Sequence, residues 1–90
     1  MPESAIDRIQ RMECCFDILL ETVNTRPSAR QEASFRVLLK SLTDYYEGGQ
    51  WLQDYTLDEQ GLLPPDLKRG VLSQDAVYDF LCRIHGDEAL

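Results

Sequence analysis

No stretch of this 90-residue sequence approaches the roughly 18 consecutive apolar positions that a membrane-spanning helix requires. No basic start leads into an apolar core and a small-residue cleavage site, so neither a membrane helix nor a signal peptide is expected. Basic residues are scarce, nine against sixteen acidic ones, for a net charge of −7. A chain of that sign repels phosphate, which argues against direct nucleic-acid binding and against polybasic docking on a membrane. Histidine occurs once, as His85, and cysteine three times, as Cys14, Cys15 and Cys82. An odd cysteine count without a secretory signal argues against a disulfide framework. The C-x-x-C spacing of zinc sites is missing, as are the Glu-x-x-His pair of di-metal bundles and the acidic loop of an EF-hand. Phosphate-binding glycine loops, the nucleophile elbow and the dinucleotide fingerprint are missing too. These gaps leave no catalytic, cofactor-binding or metal residue to nominate. The cysteines read as structural thiols of a reducing cytoplasm, with Cys15 beside an apolar stripe.

What is present is the balance of a folded domain: 43% apolar and 28% charged residues. Disorder and low complexity are excluded on that composition. A chain of this length buries only about 64% of its unfolded surface, so the core is marginal and a homodimer is a reasonable expectation. Charge is unevenly placed. Residues 1–45 carry six basic and seven acidic side chains, whereas residues 46–90 carry three and nine. That acidic half serves solubility, or faces a basic partner.

Apolar periodicity then gives the fold class, all-α. Ala5, Ile9, Met12, Phe16, Leu19 and Val23 recur at alternating spacings of four and three, one face of a helix, with Ile6, Cys15 and Leu20 widening the stripe. Ser4 is its N-cap, and the helix is predicted over residues 4–24, before Thr25-Arg26-Pro27. Ser28 and Gln31 form a capping box that opens a second helix. Phe35, Leu38, Leu39, Leu42, Tyr45 and Tyr46 line its face, and Gly48-Gly49 stops it. Two helices of similar length with a short link pack as an antiparallel hairpin over residues 1–47.

Residues 48–90 complete a single domain spanning 1–90: a short helix, a structured loop and a final helix packed on the hairpin. Trp51, Leu52 and Tyr55 mark the short helix, which Gly61 ends. Leu63-Pro64-Pro65 is extended, and Asp66-Leu67-Lys68-Arg69 allows one helical turn before Gly70. Ser73 is the N-cap of the last helix, with Asp75 in its first turn and a Leu72–Val77 hydrophobic staple. Val77, Phe80, Leu81 and Ile84 form its apolar face, and Gly86 ends it.

Three constellations deserve weighing for function. Asp54 and Asp58 lie four apart, with Glu59 beside them, so a helix puts two carboxylates on one face. Such a pair suits a hard cation or raises one carboxyl pKa, yet its commoner meaning is a solvated acidic face, which is the expectation here. Tyr45, Tyr46, Trp51 and Tyr55 gather half of the chain's eight aromatics into eleven residues. They are core cement first and an interaction hot spot second. Trp51 is expected to fold back on the hairpin near Tyr45 or Leu42, with Leu52 and Tyr55 facing the same way. Lys68-Arg69 is the one basic pair of residues 46–90 adjacent in sequence. It is expected to pair internally with Asp66, Asp75 or the patch at 54–59, rather than to hold an anion with the helix start after Ser73.

DYYEGGQWLQDY (Asp44 to Tyr55) followed by DEQGLLPPDLKRGVLSQDAVYDFL (Asp58 to Leu81) resembles a family of small bacterial helical proteins known only as a domain of unknown function. The family pattern is a tyrosine pair, a glycine-containing turn, tryptophan, Asp-Tyr, an acidic patch and a DLKRGVLS-type loop before a final helix. The resemblance covers about residues 44–81, with DLKRGVLSQDAVYD its most specific part. This chain departs from it at Gly48, where a polar residue is usual, and at Thr56, where an acid is usual. The resemblance implies a bacterial, intracellular, helical protein and implies no activity.

The expected function is a non-enzymatic protein-interaction or regulatory module, with an unidentified protein partner and a candidate homodimer. Its contact residues are Tyr45, Tyr46, Trp51, Asp54, Tyr55, Lys68 and Arg69. One alternative is a small anion- or metal-binding protein or enzyme built on Asp54/Asp58 and Lys68/Arg69. A further alternative is an acidic protein that imitates nucleic acid and blocks a basic groove elsewhere.

Overall fold

The Ser4 hydroxyl accepts the Asp7 N–H at 3.1 Å, and from this cap α1 runs Ala5–Thr25. The computed structural model describes residues 4–73 and 75–88. Along α1 the alternating stripe is buried as its spacing predicts, with Ile9, Met12, Phe16, Leu19 and Val23 all in the core. Ile6 departs from that stripe. It is 38% exposed and turned toward the outer face of the helix.

The second helix does not open at Ser28. Pro27–Gln31 is a 3-10 turn, and α2 runs Ala33–Glu47 with Glu32 at its N-cap and no side-chain cap. The reason lies in Ala29, which is buried. Six residues at 3.6 per turn would put Ala29 about 240° around a continuous helix from Phe35, off the buried face. Breaking the helix at Glu32 lets both residues point inward. Phe35, Leu39, Leu42 and Tyr45 then form the buried face of α2. The Cys15 thiol donates to the Leu38 carbonyl at 3.4 Å, and Tyr45, late in α2, meets the group that Arg8, early in α1, also binds. The two helices therefore run antiparallel.

Gly48 caps α2 and Gly49 follows at φ 96°, a left-handed conformation that L side chains rarely adopt. That single residue turns the chain into α3, Gln50–Glu59, which ends at Gly61. Trp51 is buried on the hairpin side of α3 as expected. Leu52 is not beside it but 59% exposed, because adjacent helical residues point about 100° apart.

Asp66–Arg69 makes no helical turn. Leu67 N–H donates to the Pro64 carbonyl at 3.2 Å, and a 3-10 turn, Gly70–Leu72, follows. Ser73 closes that turn by donating its N–H to the Gly70 carbonyl at 3.1 Å. Gln74 lies outside the described residues, and with it the start of the last helix that the alternative, anion-holding reading of Lys68-Arg69 invoked. The last helix, α4, runs Ala76–Glu88 through Gly86, which does not end it. A Cβ at Gly86 would meet nothing within 4 Å, so this glycine weakens the final turns without a packing role. Leu72 and Val77 are both buried, as the staple requires. Phe80 meets Phe16 edge-on at 5.5 Å, seating α4 on α1. The described residues thus form four α-helices and two 3-10 turns around one core, with no strand. The fold is all-α.

Candidate functional site

Asp54 is fully buried, which overturns the expectation that it belongs to a solvated acidic face. Helix α3 turns it toward the hairpin, where Arg8 donates Nε to Oδ2 at 2.9 Å and Nη2 to Oδ1 at 2.5 Å. Tyr45 donates its hydroxyl to Oδ2 at 2.7 Å. One carboxylate thus ties α1, α2 and α3 together through three hydrogen bonds. Burial, with the bond to Asp54 adding to it, pushes the Tyr45 phenol well above its ordinary pKa. With three of its roughly four acceptor sites taken and no surface exposed, this carboxylate is closed to a substrate or a cation from solvent. Its role is to hold the fold.

Asp58, one turn later, takes a different partner. The Arg69 guanidinium binds its carboxylate and also donates to the carbonyls of Pro64, at 2.5 Å, and Leu67, at 3.2 Å. Arg69 therefore shapes the loop before the 3-10 turn, as the internal-pairing expectation had it. Lys68 does not share this role. It is exposed at the edge of a groove.

The aromatic cluster divides by depth. Tyr45 and Trp51 are buried, whereas Tyr46 and Tyr55 are half-buried against the same core. Tyr55 stacks on the indole at 5.0 Å and 14°, and Tyr46 leans on it at 5.1 Å and 58°. The indole N–H donates to the Val71 carbonyl at 2.9 Å, while the Val71 N–H donates to Glu13 Oε2 at 2.7 Å. Both backbone groups of Val71 are thereby claimed, one by α3 and one by α1. Gly70 allows this approach: a Cβ there would stand 2.9 Å from Glu13 Oε1.

Two hollows stand out on the surface of the described residues. A groove of about 490 Å³ runs along the outer face of α1, with Ile6, Cys14 and Ile18 as its apolar residues. Glu13, Asp17 and Glu21 stand beside them, and the segment Pro64, Asp66, Leu67 and Lys68 forms the facing wall. A second, more open depression of about 630 Å³ lies between Arg8 and the exposed side of α3 at Leu52, Gln53 and Leu57. Of the residues nominated from sequence, only Lys68 lines either hollow. Sequence reasoning missed Ile6, Cys14 and Ile18 as a set, although their spacing of eight and four places them on one side of a helix. Ile6 had been absorbed into the core stripe, which hid the pattern.

The thiols differ in environment. Cys15 is buried, and burial pushes its pKa up, whereas Cys14 and Cys82 are exposed. All three are free. Among the described residues, no three His, Cys, Asp or Glu side chains gather into a group that could hold a metal ion. No described helix is long and apolar enough to cross a membrane.

No curated protein and no solved structure matches the chain. The sequence does match one family, and over a longer stretch than the motif around Trp51 and the DLKRGVLS loop. Residues 9–86 fit the family described as a domain of unknown function (DUF4298), taking in the hairpin as well as the C-terminal half, and the chain belongs to that family.

Proposed function

We propose that this chain is a non-enzymatic, cytoplasmic protein-interaction module that receives a partner along the outer face of α1. The observation that carries the reading is the groove itself. Ile6 and Ile18 are 38% and 45% exposed at a wall built by a loop that the fold takes trouble to fix. Arg69 organises that loop from within, and Glu13 and Trp51 pin the turn after it. Apolar side chains beside a rigid wall favour association, because a preformed surface loses little entropy on binding. The groups suited to chemistry point elsewhere: Asp54 is held by Arg8 and Tyr45, and Asp58 by Arg69. The free thiols support a reducing compartment.

A photo-crosslinking residue at Ile18 tests this in producing cells, with exposed Val37 on α2 as the control position. The expected result is a discrete adduct from position 18 that position 37 does not give. The partner so identified, once purified, binds the parent chain and loses affinity for Ile18→Lys. Identical adducts from both positions, or binding indifferent to Ile18→Lys, would remove the groove as the site. An adduct with the chain itself would make the partner a second copy, the expected homodimer.

A further inference from the structure

We infer, resting on the reading of the α1 groove as an interaction site, that its occupant is a cationic amphipathic helix of about four turns. The length follows from α1. The lining runs from Ile6 to Glu21, which at 1.5 Å per residue is about 22 Å of helix. Counted at 100° per residue, the groove side of α1 lies about 140° around from its core stripe, so the helix carries a second face that its own core leaves open.

The secondary structure of the occupant follows from backbone accounting. The α1 wall has its N–H and C=O groups paired within the helix, and in the facing segment Arg69 takes the Pro64 and Leu67 carbonyls while the Leu67 N–H is bonded to Pro64. An extended peptide laid on Ile6, Cys14 and Ile18 would find no ladder to join and would leave its own backbone groups facing apolar side chains. A helix pairs its backbone internally and presents only side chains. The helix-in-groove mode fits this surface, and strand addition does not.

Charge sets the chemistry of the polar flank. Glu13, Asp17, Glu21 and Asp66 line the groove against the single ammonium of Lys68. Asp17 and Glu21 stand one turn apart, a spacing at which like charges repel and destabilise a helix. Glu21 also stands one turn before the C-terminal, negative end of the α1 dipole, whose last turn carries no basic residue, although Arg26 follows the helix. This placement is unfavourable for the isolated chain and is relieved by external cations. Lys or Arg beside the occupant's apolar stripe supplies them, with an acidic position suited to Lys68.

Two synthetic helices of about 16 residues test the inference: one with a leucine stripe and lysine flanks, the other identical but with glutamate flanks. Binding is read by fluorescence anisotropy, and the site by backbone-amide NMR shifts over residues 6–21 and 64–68. The lysine helix is expected to bind with shifts confined to those segments, and to weaken as salt is raised. Asp17→Lys/Glu21→Lys should lower its affinity by about tenfold, with a circular-dichroism melt confirming that the variant folds. Ile6→Ser/Ile18→Ser should lower it as well. If the glutamate helix binds the groove equally, or the charge reversal has no effect, the cationic occupant is overturned while the groove survives as a site. If the serine variant binds undiminished, the attraction is unspecific charge and the inference fails. If neither helix shifts the groove resonances, the groove reading falls together with it. If sedimentation gives a dimer that Ile18→Lys dissociates, the occupant is a second copy and not a cationic helix.

Discussion

Arg8 and Asp54, 46 positions apart in sequence, meet in a two-pronged ion pair that joins the first helix to the third. The Asp54 side chain is fully buried and that of Arg8 nearly so. Isolated, a buried carboxylate would be far too costly for a small domain, and here three donors compensate it. The pair also has a geometric consequence. Because the guanidinium fork fixes two oxygens at once, it sets the rotation of α3 on the hairpin, and so which of its residues face inward.

Removing one member of this pair should be severe. Asp54→Asn keeps the shape but removes the buried carboxylate charge that Arg8 and Tyr45 bind, and a loss of about 3–5 kcal/mol is expected. That is a large share of the stability of a domain this size. In an Asp54→Asn background, Arg8→Ala should cost less than it does in the parent chain. Urea unfolding of the two single variants and the double variant measures this coupling, and strictly additive losses would show that the pair carries no energy of its own.

Asp58 gives the contrast within one helix. Its pair with Arg69 is partly open to water, with side-chain exposures of 25% and 32%, so solvent screens the attraction. Arg69 also keeps its bonds to the Pro64 and Leu67 carbonyls when the carboxylate is gone. Asp58→Ala is therefore expected to cost about 1 kcal/mol or less, against the several expected at Asp54. A loss equal to that of Asp54→Asn would refute the distinction between the two sites.

Tyr45 makes stability fall in alkali. Its phenol pKa is raised in the folded chain, first by burial and then by the bond to Asp54. The unfolded chain therefore releases the proton first. The stabilisation is complete below the unfolded pKa, about 10, and is lost as pH rises above it. The steepest slope a single tyrosine gives is about 1.4 kcal/mol per pH unit. Denaturant melts between pH 8 and pH 11 should show a decline that starts with the buried Cys15 thiol, whose pKa burial also raises, and steepens near pH 10, and Tyr45→Phe should flatten the later part. An unchanged slope in that variant would assign the decline to other groups.

Local physics made much of the fold legible. Ser4 before the first stripe, the alternation from Ile9 to Val23 and the Gly48-Gly49 stop each act within a few residues, and each appears as expected. Ala29 was not legible, because its burial depends on where the hairpin turns the chain, and this moved the start of α2 from Ser28 to Ala33. Asp54 and Asp58 look alike in sequence, two acids one turn apart. What separates them is tertiary: Arg8 of α1 meets Asp54, and Arg69 of the loop after α3 meets Asp58. The groove was hidden for the opposite reason. Ile6 is apolar and reads as part of the core stripe until a structure shows which way it faces, which leaves Ile18 as an isolated apolar position in the sequence.

Trp51 joins α2, α3 and the 3-10 turn before α4. Its ring packs between Tyr46 and Tyr55, and its N–H holds the Val71 carbonyl whose partner amide is bound by Glu13. Truncation to alanine removes the ring contacts and leaves a cavity where α3 meets the hairpin, and a loss of about 3–5 kcal/mol is expected. Trp51→Phe separates the two contributions. It keeps a ring for Tyr46 and Tyr55 but leaves the Val71 carbonyl without its donor, at an expected cost of about 1–3 kcal/mol. Hydrogen exchange locates the effect: in the phenylalanine variant the amides of residues 70–72 should lose protection before those of α1 and α2. If Trp51→Ala instead keeps the parent melting temperature and loses only a partner or self-association, the indole belongs to an interface. The aromatic cluster, not the α1 groove, would then be the binding site.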